Sequence, residues 1–287
     1  MTPAPLSRTH GRSMSAIRSA LRVFLLFFPM TLLFLLLHEG GHAIVDLIYR
    51  APHTDIFIHP FAFAGFSRPI FDFDNILFHA GGTILSILVS LSLFLILWKR
   101  RSSASLLPLI LFPWAALAEG LALLLVLTKT GDYYNVSQVV GLPAGMFALI
   151  GVLFFLTGLF LFISLFPRLG LAPESMHALW VIPASMGVYG LVGLGVAHWL
   201  VPASPFLLQY GLVQETLNTA NVQLFILIAI GLLTAGLYVS LYRAVYRKFP
   251  ASWRAETAQL TWRDLRCPAV LAAISIAVGL AFILGLL

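Results

Sequence analysis

The residues His38-Glu-Gly-Gly-His42 form an HExxH motif at the end of an apolar run, residues 23–37. Two histidines four residues apart on a helix stack on one face, where both imidazoles can bind one Zn²⁺. Glu39 between them is then available as a general base toward zinc-activated water. A charged side chain inside a membrane span costs about 2.5–3.5 kcal/mol and therefore indicates a function. The motif predicts zinc metalloprotease chemistry within a membrane.

The composition is that of a membrane protein. The chain of 287 residues is 60% hydrophobic and 10% charged, with a mean hydropathy of +0.97. Soluble domains carry about 25% charged residues, so a soluble globular fold is excluded. The net charge of +6 does not indicate nucleic-acid binding, because the basic residues lie in short segments between apolar runs.

The apolar runs predict an all-α polytopic membrane protein with about seven transmembrane helices, since each run is long enough to cross about 30 Å of hydrocarbon. The predicted spans cover residues 22–48, 76–98, 105–128, 143–166, 177–201, 223–246 and 267–287. Between the first two spans, residues 55–59 and 61–66 are short β-favouring runs on either side of Pro60. They predict a β-hairpin-like segment.

The basic residues predict the orientation of the chain. Fourteen Lys and Arg residues lie at or beyond the span ends on one side of the predicted bundle, and three lie on the other. Because cytoplasmic segments are enriched in Lys and Arg, the N-terminus is expected to be cytoplasmic. The first span then runs outward, and the HExxH motif lies toward the extracytoplasmic side.

A catalytic zinc site needs a third protein ligand and an open fourth position. Two acidic residues could supply the ligand. Asp132 follows the third span and could reach the metal from the same side as the motif. Glu119 lies within the third span, where an ionisable side chain must be paired or bound.

The order of these features resembles the site-2 protease family of intramembrane zinc metalloproteases. HEGGH on an apolar helix is followed by a hairpin-like segment and by His79-Ala-Gly-Gly-Thr-Ile-Leu-Ser86, which opens the next span. The family carries HExxH on its first core span, a Gly-Pro…Asn motif on the second and an Asp-Gly motif beside the third. The resemblance covers about residues 22–145, and Gly82-Thr83 with Ser86 stand in place of the second motif.

The resemblance implies a role for each site residue. His38 and His42 would be zinc ligands, Glu39 the catalytic base, and Asp132 the third ligand, with Glu119 as the alternative. Asn135 and His79 are further candidates for contacts with the oxyanion or the substrate. The implied partners are the lipid bilayer and a membrane-spanning protein substrate.

The predicted organisation has three parts. Residues 1–18 are expected to be a disordered cytoplasmic tail, residues 19–145 a metalloprotease-like core of three spans, and residues 146–287 four additional spans. Within the last part, a segment near 249–266 is predicted to be a basic amphipathic helix on the inner membrane surface.

Two other functions fit the same residues. The chain could be a non-catalytic membrane protein that binds zinc. It could also be an ion transporter that uses the intramembrane cluster of His38, Glu39, His42 and Glu119.

Overall fold

The structure is a computed structural model of the whole chain, and it describes residues 7–49, 54–59, 64–69, 76–100, 105–129, 132–171, 176–242 and 260–286. Within these residues, the α-helices and β-strands are α1 (Ser7–Ile48), β1 (Thr54–His59), β2 (Ala64–Pro69), α2 (Ile76–Leu97), α3 (Leu106–Leu125), α4 (Asp132–Val140), α5 (Ala144–Ser164), α6 (Ala178–Leu200), α7 (Pro205–Tyr210), α8 (Val213–Leu237) and α9 (Arg266–Ile283).

The prediction of seven spans is confirmed within the described part of the chain. Seven helical segments are long and apolar enough to cross a membrane, which indicates a multi-pass membrane protein: Ser15–Ile48, Ile76–Leu97, Leu106–Thr128, Ala144–Ser164, Ala178–Ala203, Val213–Ser240 and Trp262–Ile283. The third of these is the most enclosed by its neighbours, with 72% of its apolar window buried inside the protein.

The predicted hairpin is also present. β1 and β2 pair antiparallel, with Thr54 opposite Pro69 and His59 opposite Ala64. β1 packs against α1 and α9, so the hairpin is wedged among the helices rather than lying on their surface. Phe57, Ile58 and His59 are buried, and the Phe57 ring stacks on Phe206 of α7 at 5.1 Å between centroids.

The first helix begins earlier than expected. α1 starts at Ser7, so residues 7–18 are helical, although the sequence predicted a disordered tail there. Ala16, Ser19 and Val23 are buried at helical spacing, and Arg18 donates a hydrogen bond to the Leu260 carbonyl. These tertiary contacts extend the helix beyond its apolar run. Residues 1–6 lie outside the described residues.

The sixth span also begins earlier, at Val213 rather than at residue 223. Its first turns are polar, so a hydropathy pattern does not detect them. Gln214 nevertheless donates a hydrogen bond to Asn218 one turn later, and the Thr216 hydroxyl donates to the Leu212 carbonyl. Glu215 in the first turn favours the positive end of the helix dipole.

The predicted amphipathic segment near 249–266 lies largely outside the described residues. The described portion forms a short 3-10 helix at Trp262–Leu265, capped by Thr261 and Asp264. Leu260 and Leu265 are buried while Trp262 is exposed, and the Arg18 guanidinium lies 5.7 Å from the Trp262 ring centroid. This portion therefore packs onto the start of α1.

The three spans of the predicted core pack against the four additional spans. α3 lies along α5, while α1 packs against α9 and α6 as well as against α2. Glycines allow the closest of these approaches, because a Cβ at Gly120 would stand 2.6 Å from the Phe155 nitrogen. The helices that carry the HExxH motif and Glu119 are therefore enclosed by α5, α6 and α9.

Candidate metal centre

The two histidines of the motif lie side by side on α1, as their spacing predicts. Their ring centroids are 5.0 Å apart. The Nε2 atoms of both rings face the same oxygen, Oδ2 of Asp132, at 3.6 Å from His38 and 3.5 Å from His42. α1 and α4 therefore bring two imidazole nitrogens and one carboxylate oxygen together.

Asp132 reaches this position because it opens a short helix. Residues 129–142 lie between the third and fourth predicted spans, and residues 132–140 form α4, which packs against α2, α3 and α5. Tyr133, Val136 and Ser137 form its buried face. Asp132 itself keeps 37% of its side chain exposed, against 3% for His42, so the centre is most open at Asp132.

The electrostatic surroundings favour the ionised form of Asp132. Burial alone would raise its pKa, but the neighbouring rings of His38, His42 and His79 outweigh this effect. The pKa of Asp132 consequently lies well below its usual range. An ionised carboxylate is the form that binds a metal cation.

The spacing of the three donor atoms fits a metal ion. Ligands about 2.1 Å from a tetrahedral ion are about 3.4 Å from one another. The separations of 3.5 and 3.6 Å to Asp132 are close to this value, and all three donor atoms lie within 4.8 Å of one another. His38, His42 and Asp132 could therefore hold a metal ion.

The second nitrogen of each ring has a partner that fixes the tautomer. His42 donates from Nδ1 to the Phe78 carbonyl at 2.6 Å, and His38 donates from Nδ1 to Oε1 of Glu119 at 2.9 Å. With the protons on Nδ1, both Nε2 lone pairs are directed at the site. Metal-binding histidines generally have such a partner on the other nitrogen.

Glu119 lies on the opposite side of the His38 ring from Asp132. It was the alternative third ligand, but its carboxylate contacts Nδ1, the nitrogen that faces away from the donor group. Glu119 is buried, with 1% of its side chain exposed. Its hydrogen-bond partners are His38, Ser86, Thr83 and Tyr133. The structure therefore makes Glu119 a partner of a candidate ligand.

The predicted base, Glu39, is buried on α1 next to His38. Its carboxylate is close enough to His38 to interact with it electrostatically. Since successive residues on a helix are rotated by about 100°, Glu39 lies at the edge of the face that carries the two histidines.

His79 and Asn135 occupy different positions at the open end of the centre. His79 on α2 lies with Nδ1 3.6 Å from Oδ1 of Asp132, the oxygen that does not face His38 and His42. His79 therefore adjoins the candidate third ligand. Asn135 is exposed on α4, one turn after Asp132. Their predicted contacts with an oxyanion or substrate remain predictions.

Glycines determine how closely α2 approaches the motif. Gly41 packs on Gly81, and a Cβ at Gly81 would stand 2.7 Å from the Gly41 carbonyl oxygen. A Cβ at Gly40 would meet no neighbouring atom within 4 Å, and Gly40 lies on the opposite side of α1 from His38 and His42. Gly41 therefore serves helix packing, and Gly40 faces away from the candidate metal centre.

Sequence reasoning missed the hydrogen-bond donors around Glu119. Thr83 and Ser86 lie three residues apart on α2, and Tyr133 directly follows Asp132. The spacing of two hydroxyl residues on one face of an apolar helix is a detectable signal. The helical spacing of Tyr133, Val136 and Ser137 was also detectable and would have predicted α4.

Comparisons with protein-family models, with curated proteins and with solved structures found no match to this chain.

Proposed function

We propose that this protein is a zinc metallopeptidase of the site-2 protease type, which hydrolyses peptide bonds of membrane-embedded proteins. The observation that carries the proposal is the convergence of His38 Nε2, His42 Nε2 and Asp132 Oδ2, at 3.5 and 3.6 Å, within a set of apolar helices. Two histidines from HExxH plus one carboxylate is a ligand set typical of catalytic zinc sites.

The donor chemistry favours zinc over magnesium or calcium. Imidazole nitrogen suits Zn²⁺, whereas Mg²⁺ and Ca²⁺ prefer oxygen ligands throughout. A zinc ion held by His38, His42 and Asp132 would supply the Lewis acidity that activates water and polarises a peptide carbonyl. Three protein ligands leave one position open for this chemistry.

Glu39 is the residue assigned to proton transfer. Its carboxylate would accept a proton from the attacking water and deliver it to the nitrogen of the leaving amine. Burial supports this role, because Glu39 is only 5% exposed and bulk water is largely excluded around it. A purely structural zinc site does not require a carboxylate between its two histidines.

The proposed substrate is a membrane-spanning protein that reaches the site in extended form. The backbone amides of a transmembrane helix are paired within the helix, so the helix must unwind before hydrolysis. Asp132 is the most exposed of the candidate ligands, and an unwound segment could enter beside it. The charge distribution supports a cytoplasmic N-terminus with the site toward the extracytoplasmic side.

The decisive experiment compares wild type with Glu39→Gln, purified in detergent and loaded with zinc. Fluorescently labelled, reduced casein is a suitable probe because its extended backbone removes the need for unwinding. Wild type should cleave casein, and a chelator should abolish the activity until zinc is restored. Glu39→Gln should bind zinc equally and lose about 10²–10⁴-fold in rate. Glu215→Gln is the matched control, because Glu215 is exposed on α8.

The same experiment distinguishes the two other functions. If wild type binds zinc and does not cleave the probe, the protein is a non-catalytic zinc protein. If wild type binds no zinc, the transporter becomes the favoured function. Equal cleavage by wild type and Glu39→Gln would contradict the role proposed for Glu39.

A further inference from the structure

The carboxylate of Glu119 is surrounded by four side chains that can donate hydrogen bonds. Oε1 accepts from His38 Nδ1 at 2.9 Å and from Ser86 Oγ at 2.8 Å. Oε2 lies 2.8 Å from both Thr83 Oγ1 and the Tyr133 hydroxyl. These two hydroxyls also contact each other, so one donates to its neighbour and the neighbour donates to Oε2. Both carboxylate oxygens of Glu119 are therefore hydrogen-bonded.

The donors come from three different elements. His38 lies on α1, Thr83 and Ser86 lie on α2, and Tyr133 lies on α4, while Glu119 itself belongs to α3. Burying a carboxylate costs free energy unless its oxygens are hydrogen-bonded. The bonds to Glu119 therefore favour one arrangement of α1, α2 and α4 relative to α3. Glu119 thus joins the four helices that surround the candidate metal centre.

Two of these contacts act on candidate metal ligands. The bond to His38 keeps the proton on Nδ1 and leaves Nε2 free to bind. Tyr133 is the neighbour of Asp132 in sequence, and its hydroxyl lies 2.8 Å from Oε2 of Glu119. Tyr133 therefore anchors the first turn of α4, from which Asp132 extends.

We infer that Glu119 is a positioning residue, which sets the tautomer of His38 and the placement of Asp132 through Tyr133. It increases metal affinity without binding the metal. The inference rests on the proposed metal centre. Glu119→Gln would present an NH₂ group to one of the two pairs of hydrogen-bond partners. If that group faces His38, the ring must carry its proton on Nε2, the nitrogen needed by the metal.

The test is the apparent zinc affinity of purified protein, measured by competition with a chelator of known affinity. Wild type should bind about one zinc, and Glu119→Gln should bind the same number about 10–100-fold more weakly. The matched control is Glu215→Gln on the exposed first turn of α8, which should match wild type. Failure of wild type to bind zinc would overturn the metal centre itself, whereas a normal affinity in Glu119→Gln would overturn only the positioning role.

A second pair of variants covers the case in which Glu119→Gln does not fold. Tyr133→Phe and Thr83→Val each remove one hydroxyl donor and keep the carboxylate. Each should weaken zinc binding severalfold, and Tyr133→Phe should weaken it more, because Tyr133 also anchors α4. The unfolding temperature of the zinc-free proteins separates the explanations. A lower unfolding temperature with unchanged zinc affinity would mean a structural role only and would overturn the inference.

Discussion

Gly82 of α2 lies directly against His42 of α1. A methyl group at Gly82 would stand 2.6 Å from Nε2 of His42, the nitrogen that faces Asp132. It would also stand 2.8 Å from the His38 carbonyl oxygen. The backbone of α2 therefore forms one wall of the candidate metal centre, and only glycine fits there without moving the ring.

Gly82→Ala should accordingly weaken zinc binding. The added methyl group must displace His42 or separate α1 from α2, and either change misplaces a ligand. We expect the apparent zinc affinity to fall about tenfold or more, as for other changes that disturb ligand orientation. Chelator competition on the purified protein measures the effect.

Gly40→Ala is the matched control for this substitution. Gly40 is two residues from His42, yet the space around it is open. Replacing a helical glycine by alanine should raise the unfolding free energy by up to about 1 kcal/mol and leave zinc affinity unchanged. Equal loss of affinity in both variants would contradict the packing described for Gly82.

His59 should make the stability of the fold depend on pH. Burial in β1 lowers the pKa of His59 to about 4, from an ordinary value of 6.5. Below pH 6.5 the unfolded chain binds a proton that the folded protein does not. Stability is therefore fully present above pH 6.5 and falls by about 3 kcal/mol as the pH approaches 4.

The check is the unfolding free energy of wild type and His59→Gln in detergent, measured from pH 7.5 to pH 4. Other groups also titrate in this range, so the quantity of interest is the difference between the two proteins. Wild type should lose more stability than His59→Gln as the pH falls. Parallel curves would show that the His59 ring is already protonated or exposed in the folded protein.

The hairpin should contribute strongly to stability through Phe57. This ring is 1% exposed and is stacked on Phe206 with an interplanar angle of 11°. Phe57→Ala would leave a cavity among β1, α7 and their neighbours and should cost about 3–5 kcal/mol. Thermal unfolding of the purified protein in detergent measures this loss of stability.

Leu208→Ala provides the comparison for Phe57→Ala. Leu208 lies on the same short helix as Phe206 but is 59% exposed, so its truncation should change stability by less than about 0.5 kcal/mol. If both variants unfold at the wild-type temperature, the hairpin is not packed among the helices as described.

The orientation can be tested by cysteine labelling, because Cys267 is the single cysteine of the chain. Two single-cysteine variants are made in a Cys267→Ala background, one with Leu142→Cys and one with Lys99→Cys. Both positions are exposed, and they lie at opposite ends of the bundle. A membrane-impermeant maleimide added to intact cells should label position 142 and not position 99. The reverse pattern would place the N-terminus and the site on the opposite sides from those proposed.

Hydropathy predicted the spans well, because a helix that crosses lipid needs a long run of apolar residues. Such a run is visible in the sequence whatever its periodicity. Seven spans and the hairpin were predicted correctly, whereas the ends of α1 and α8 were not. Both starts are polar. The start of α1 depends on tertiary contacts, such as Arg18 with the Leu260 carbonyl, and the start of α8 has hydrogen bonds between its own polar side chains and backbone. A contact between residues 242 positions apart leaves no local pattern in the sequence.

The site was predictable in part. HExxH spacing fixes the relation of His38 to His42, since both lie on one helix. The choice between Asp132 and Glu119 depends on which side of the His38 ring each one reaches, and this is decided by the packing of α3 and α4 against α1 and α2. The spacing of Thr83 and Ser86 is visible in the sequence, but their contact with Glu119 depends on the packing of α2 against α3.

The most direct test of the metal centre is X-ray absorption at the zinc edge, combined with zinc analysis, on purified wild type and Asp132→Ala. Wild type should contain about one zinc, with imidazole scattering from two histidines and further light-atom ligands at about 2.0–2.2 Å. Asp132→Ala should lose most of the zinc or one oxygen ligand. Absence of zinc from wild type, or a spectrum and zinc content unchanged in Asp132→Ala, would contradict a centre formed by His38, His42 and Asp132.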